Sequence, residues 1–154
     1  MVKLTYSDMK QLIIKLTLPL TIISMFLVTK WWYALPVDGP DKLYWGFPYP
    51  FLGQGFHTSM SFQFFILEFA ADFFIYLLGW ICLLYLITKT FSITKLSKLL
   101  FKTVWSLALF LGIGFTILVS TSNPVFQLKR DYDWKILQSG HVFIWQETPW
   151  PDRD

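Results

Sequence analysis

Residues 64–87 run Phe64-Phe-Ile-Leu-Glu-Phe-Ala-Ala-Asp-Phe-Phe-Ile-Tyr-Leu-Leu-Gly-Trp-Ile-Cys-Leu-Leu-Tyr-Leu-Ile87, and their only charged side chains are Glu68 and Asp72. A helix of roughly 20 apolar residues crosses a bilayer. Residues four apart lie on one face of a helix. A charged side chain at the centre of a bilayer costs about 2.5–3.5 kcal/mol on insertion scales. The sequence therefore predicts a membrane span whose two acids face protein, water or an ion.

The composition also indicates a membrane protein. Of the 154 residues, 55% are hydrophobic, 20% are aromatic and 15% are charged, whereas a soluble domain has about 25% charged residues. The net charge of +3 does not indicate a nucleic-acid partner, because the lysines lie beside the hydrophobic segments. The single cysteine, Cys82, excludes an internal disulfide. We expect no cofactor and no metal.

Two further apolar segments, residues 11–29 and 103–121, complete a prediction of three transmembrane helices. The predicted fold class is all-α integral membrane, with an aromatic-rich outer loop and a small extracytoplasmic tail. The corresponding domains are a three-helix membrane domain, residues 1–124, and the tail, residues 125–154. We expect the first segment to be a retained anchor, because Lys30 and bulky aromatic residues follow it instead of a small-residue cleavage site.

The distribution of basic residues predicts the orientation. Seven lysines lie in segments 1–15 and 88–102, whereas six lysines and arginines lie in the much longer segments 30–62 and 121–153. The positive-inside rule then places the N-terminus in the cytoplasm and the C-terminus outside. We expect a multi-pass protein of the cell inner membrane, with the lipid bilayer as its first partner.

The outer loop and the tail have distinct compositions. Aromatic, proline and glycine residues crowd segment 30–62, which predicts a compact loop at the outer interface. A lid over a cavity or a docking surface is the alternative. In the tail, the runs 133–137 and 141–146 flank Gln138-Ser139-Gly140, a pattern compatible with a β-hairpin whose turn contains Gly140.

Glu68 and Asp72 are the centre of the candidate site. If their helix began as early as His57, then His57, Glu68 and Asp72 would share one stripe, in the general form of a proton or cation path. The structural alternative is an ion pair between Lys30 and Glu68, or hydrogen bonds that hydroxyl groups on the other helices donate to the carboxylates. A third hypothesis is contact with a polar group of a partner. His57 and Glu68 would be about 16 Å apart on a straight helix, so they do not predict a shared metal ion.

A second candidate feature lies on the third segment, where small residues recur every four positions. They are Ala108, Gly112, Thr116 and Ser120. Small residues let two helices approach closely in a membrane. The stripe therefore predicts helix packing, either inside the bundle or against another subunit.

The predicted function is that of a non-catalytic small subunit or accessory protein of a larger membrane complex. We expect its partners to be other membrane protein subunits or further copies of the chain, because three helices enclose a substrate pathway poorly. The alternative is a small transporter or channel component in which Glu68 and Asp72 bind a proton or cation. An intramembrane enzyme is a third alternative, although HExxH, GxSxG and paired-cysteine motifs are absent from the sequence.

Overall fold

The computed structural model describes residues 6–36, 42–55, 61–90, 97–143 and 146. Three helices form in these residues: α1 Tyr6–Leu27, α2 Ile66–Thr90 and α3 Lys98–Thr121. The strands are β1 Val28–Pro36, β2 Lys42–Trp45, β3 Leu52–Gln54, β4 Phe62–Phe65, β5 Val125–Gln127 and β6 Trp134–Phe143. They form one sheet in the order β5-β4-β3-β2-β1-β6, antiparallel throughout except for the parallel pair β4 and β5.

The sheet sits at one end of the helices. The first strand begins at Val28, directly after α1, and β4 ends at Phe65, directly before α2. The third helix leads into β5 after a short stop at Ser122, Asn123 and Pro124, where Asn123 has a positive φ of 45°. The helices α1 and α3 therefore meet the sheet with their C-terminal ends and α2 with its N-terminal end. The opposite ends of α2 and α3 carry Lys89 and Lys98.

One face of the sheet packs against the helices. Trp45, Leu52 and Phe64 lie side by side in neighbouring strands, and they belong to an apolar cluster with Met25 of α1 and Phe115 of α3. Burial of such side chains stabilises the fold by about 1.5–3 kcal/mol each. This cluster fixes the sheet on the helix ends.

The other face is covered by the chain itself. Residues 128–133 join β5 to β6, which are the two opposite edges of the sheet. Five strand spacings amount to about 24 Å, and the seven steps from Gln127 to Trp134 reach at most about 25 Å. The connection therefore crosses the face almost directly. On the way, Tyr132 contacts Tyr44 and Phe65 of the sheet.

The first helix ties the other two together. Trp80 of α2 donates its indole N–H to the Ser24 hydroxyl of α1 (2.9 Å), and Trp105 of α3 donates its indole N–H to the Lys15 carbonyl (3.2 Å). Met25 is buried between the sheet and the helices. Two indole bonds and one apolar core thus hold α1 in place.

The all-α prediction is wrong, because six strands of the described residues form a mixed sheet beside the three helices. The segment expected to be an aromatic loop contains three of the strands, β1, β2 and β3. Its strands lack the alternation of polar and apolar residues that marks a half-exposed sheet, because helices cover one face and the 128–133 connection covers the other.

The prediction of three membrane spans is wrong as well. Among the described residues, only α2 and α3 are long and apolar enough to cross a membrane, whereas the apolar part of α1, Ile13–Leu27, is too short. Lys15 interrupts the N-terminal side of this helix, and the chain enters the sheet at Val28 instead of continuing to Thr29 as a helix.

The predicted hairpin in the tail is also wrong. Residues 134–143 form one strand, in which Gly140 pairs with Trp31 of β1. A Cβ at Gly140 would meet the Trp31 indole at 2.8–2.9 Å, so the glycine makes room for a ring and does not form a turn. The division into domains 1–124 and 125–154 stays a prediction, although both tail strands join the sheet that the loop builds.

Candidate functional site

Asp72 is fully buried on the first turns of α2. Its Oδ1 accepts a hydrogen bond from the Tyr49 backbone N–H at 2.8 Å, whereas its Oδ2 is buried and has no partner among the described residues. Tyr49 belongs to the turn between β2 and β3, which begins at Gly46 with a φ of 144°. Asp72 therefore fastens this turn to the helix.

Glu68 lies one turn nearer the sheet and faces a different partner. Its Oε1 accepts a long hydrogen bond from the Arg130 backbone N–H (3.4 Å), and its Oε2 is buried without a partner among the described residues. Arg130 lies in the 128–133 connection. Each of the two acids thus attaches one irregular segment to α2 and retains one buried oxygen.

The other predicted site residues do not join the two acids. The Lys30 ammonium lies 3.8 Å from the centre of the Trp32 ring, a cation–π contact. His57 lies outside the described residues. The helix that carries Glu68 and Asp72 begins at Ile66, so a continuous helical stripe from residue 57 does not form.

The residues of the predicted packing stripe on α3 differ in how far they are buried. Ala108 is buried, but Thr116 and Ser120 are exposed, and Thr116 donates to the Gly112 carbonyl of its own helix at 2.8 Å. A Cβ at Gly112 would meet no atom within 4 Å. In the isolated chain, three of the four positions are therefore not tightly packed.

The sequence did not predict a pair of tyrosines, Tyr44 and Tyr132, on the face of the sheet that the 128–133 connection covers. Tyr132 donates its hydroxyl to the Oε1 of buried Gln63 (2.8 Å), and the Tyr44 and Tyr132 hydroxyls are 2.9 Å apart. Because the Tyr132 proton goes to Gln63, Tyr44 is the donor in the second bond. The Arg130 guanidinium lies 4.0 Å above the ring of Trp134 beside this pair.

Burial makes these two tyrosines weaker acids than usual. Desolvation raises the pKa of Tyr44, with the Tyr132 hydrogen bond and the Arg130 charge acting against it. Burial also raises the pKa of Tyr132, and the hydrogen bond with Tyr44 adds to that rise. Both phenols are therefore neutral hydrogen-bonding groups that pin the 128–133 connection to β2 and β4.

Of the two edge strands of the described sheet, β6 is much the longer. This ten-residue strand pairs with β1 on one side and forms the edge of the sheet on the other. The exposed side chains of β6 include Ile136, Leu137 and Phe143, at 46%, 47% and 42% of their surface. Long open edges with exposed apolar side chains are templates for pairing with another strand.

The hydrogen-bond pattern shows which β6 groups point outwards. Gly46 N–H donates to the Lys30 carbonyl (3.0 Å), so the Lys30 backbone faces β2 and, by antiparallel alternation, the Trp31 backbone faces β6. Trp31 pairs with Gly140. The N–H and C=O groups of Ser139 and His141 therefore point away from the sheet.

The end of β6 confirms this alternation independently. Phe143, two residues beyond His141, directs its N–H to the Gln146 Oε1 (3.0 Å), and its carbonyl accepts the Gln146 N–H (2.9 Å). Its outward groups are thus capped by the chain. A register shift between Tyr33 and Ala34 disturbs the far part of the strand. The stretch from Gln138 to Val142 is therefore a regular edge, and no described strand pairs with its outer side.

Comparison with family models, with curated proteins and with solved structures found no match for the chain. Within the described residues, no group of three or more His, Cys, Asp or Glu side chains is placed to hold a metal ion.

Proposed function

We propose that the chain is an accessory subunit of a membrane complex, anchored by α2 and α3 and docked to its partner through the open edge of β6. Only 11% of the most apolar stretch of α2, and the same share of that of α3, is buried within the protein. A core helix of a soluble protein buries far more of its apolar surface, so lipid is the solvent that suits these helices.

The proposed topology follows from the sheet position and the lysines. All strands lie at one end of α2 and α3, and Lys89, Lys98 and Lys102 lie at the other end. The positive-inside rule then puts the sheet on the extracytoplasmic side. The Phe143 end of β6 lines a cavity together with Gly114 of α3, so it is the end of the edge that lies next to the membrane helices, where a strand of a membrane-anchored partner can reach it.

The β6 edge is the observation that carries the docking proposal. The outward groups of Ser139 and His141 offer two donors and two acceptors to an added strand, and main-chain hydrogen bonds provide affinity in such strand addition. The exposed apolar side chains Ile136, Leu137 and Phe143 lie at the two ends of this stretch and can add apolar contacts there. A strand from a different membrane protein is the proposed occupant.

Ser139→Pro tests the edge directly. Proline removes the outward N–H of residue 139 but leaves the bonds between β6 and β1 intact, since those come from Gln138, Gly140 and Val142. We expect a chain that folds normally and loses its partner on extraction in mild detergent. The control is Ser139→Ala, which keeps the backbone donor and should retain the partner.

Two results would contradict the docking proposal. One is a Ser139→Pro chain that retains a stoichiometric partner, measured by size analysis and mass spectrometry. The other is a wild-type chain that extracts as a clean monomer from its native membrane. A wild-type homo-oligomer that Ser139→Pro dissociates would keep the edge as the interface but replace the heterologous partner with a second copy.

Binding of a proton or cation by Glu68 and Asp72 is the second candidate function. It is favoured by the two buried carboxylate oxygens, Glu68 Oε2 and Asp72 Oδ2, that have no partner among the described residues. The double variant Glu68→Gln with Asp72→Asn distinguishes the roles. Loss of ion flux with intact assembly supports a relay, whereas altered abundance or association supports a structural attachment of the two segments.

A further inference from the structure

A cavity of about 430 Å³ lies where α1, α3 and the sheet meet. Its walls come from Met25 and Phe26 of α1, Leu111 and Phe115 of α3, and Leu52 and Val142 of the sheet. Ligand sites in proteins are about 300–1,000 Å³. The space is partly open to the surface, and its walls are almost entirely apolar, so their chemistry favours an apolar occupant.

The position of the cavity identifies the source of that occupant. Gly114 of α3 lines the cavity and lies seven residues, or about 10 Å, from the end of the helix at the sheet. Half of a hydrocarbon core is about 15 Å thick. With α2 and α3 placed across a bilayer as proposed above, the cavity lies within the leaflet next to the sheet.

The lining of the cavity is continuous with the surface that would face lipid. Phe110 and Leu118 belong to its wall and are also 75% and 51% exposed. At the sheet end, the lining contains the polar residues Thr29 and Gln146. The side-chain N–H groups of Gln146 donate to no described residue, and its Oε1 is occupied by the Phe143 N–H. The apolar walls of the cavity match an acyl chain, and the polar groups at its sheet end match the ester of that chain.

We infer that the cavity binds one acyl chain of a phospholipid from the leaflet next to the sheet. The inference rests on the membrane placement in the proposed function, but it is independent of docking through β6. The bound chain would fill the space between α3 and the sheet. It would therefore act as a wedge that supports the apolar cluster around Met25 and Phe115.

Photolabelling tests this inference. The probe is a phosphatidylcholine that carries a diazirine in the middle of one acyl chain, mixed into phosphatidylcholine vesicles that contain the full chain. Met25 is only 3% exposed, so a lipid at the outer surface does not reach it. We expect a label at Met25 from within the cavity, together with labels on outward residues of α2 such as Leu78, which is 64% exposed.

Two glycine variants make the test specific. A Cβ at either Gly114 or Gly112 would meet no atom within 4 Å, but only Gly114 lines the cavity. Gly114→Leu should fill the space and reduce the Met25 label severalfold, while the Leu78 label is unchanged. Gly112→Leu should leave both labels at the wild-type level.

The outcomes separate the cavity from the membrane placement. Labels on α2 without a label at Met25 would overturn the inference and leave the membrane placement standing; a protein segment in the cavity would give this result. Absence of labels on α2 would overturn both. Unchanged Met25 labelling in Gly114→Leu would also overturn the inference. If that variant does not fold, the wild-type labelling pattern decides alone.

Discussion

The two edges of the sheet are built differently. The edge strand β5 has three residues, follows directly after α3 and Pro124, and pairs with β4 in parallel. The edge strand β6 has ten residues, and in its regular stretch from Gln138 to Val142 the backbone groups of Ser139 and His141 point outwards. Proteins protect sheet edges by shortening or covering them, and the chain has done so at β5 only. This difference is why we propose docking through β6 and not through β5.

The largest expected effect comes from Gly140→Val. The new side chain would overlap the Trp31 indole, which lies 2.8–2.9 Å from the position of a Cβ. Overpacking of this kind costs about 1–3 kcal/mol, and it should also displace β6 and thereby remove the partner. A thermal unfolding scan in detergent and partner recovery measure the two effects. Ser139→Val, on the exposed neighbouring residue, should change stability by less than about 0.5 kcal/mol.

A prediction of nearly equal size concerns the connection between the two edges. Tyr132→Phe removes the hydroxyl that links Tyr44 to Gln63, and it leaves the buried Gln63 oxygen without that donor. The cost of an unsatisfied buried group is about 1–3 kcal/mol. The free energy of unfolding should fall accordingly. Tyr85→Phe, at a half-exposed position on α2, should have almost no effect. Equal losses of stability in the two variants would contradict a stabilising role of the Tyr132 hydroxyl.

The sequence predicted the helices far better than the sheet. Glu68 and Asp72 stand out because charge is rare in an apolar run, and α2 and α3 are found close to the expected segments. The sheet was not predicted because its strands are mostly three or four residues long. Both of its faces are also covered, so its strands do not alternate between polar and apolar residues. Gly140 resembled a turn residue, yet it makes room for Trp31, a residue 109 positions away in the chain.

The candidate site shows the same limit. The spacing of Glu68 and Asp72 places both on α2, but it does not show that Asp72 accepts a hydrogen bond from Tyr49 and Glu68 one from Arg130. Tyr49 lies in an irregular segment before α2 in the sequence, and Arg130 lies in one after it. The outward groups of Ser139 follow from pairing with β1, for which the sequence carries no local signal.

The alkaline limit of stability should depend on the tyrosine pair. The pKa values of Tyr44 and Tyr132 are raised in the folded chain, so the unfolded chain loses these protons first as the pH rises. Their contribution is complete below the ordinary tyrosine pKa of about 10 and is lost as the pH rises through the folded values. Unfolding temperatures between pH 9 and 11, here a range of about one unit around that value, should fall more steeply in wild type than in Tyr44→Phe with Tyr132→Phe.

The smallest expected effect comes from the protected edge. Val125 of β5 is 36% exposed, so Val125→Lys adds a charge at the short edge without filling a buried space, and a surface change of this kind costs less than about 0.5 kcal/mol. Partner recovery should therefore equal that of wild type. Gln138→Lys places the same charge beside the open edge of β6, and there a lysine discourages the pairing of strands. Recovery should fall in Gln138→Lys alone; a fall with Val125→Lys instead would assign docking to β5 and reverse the comparison between the two edges.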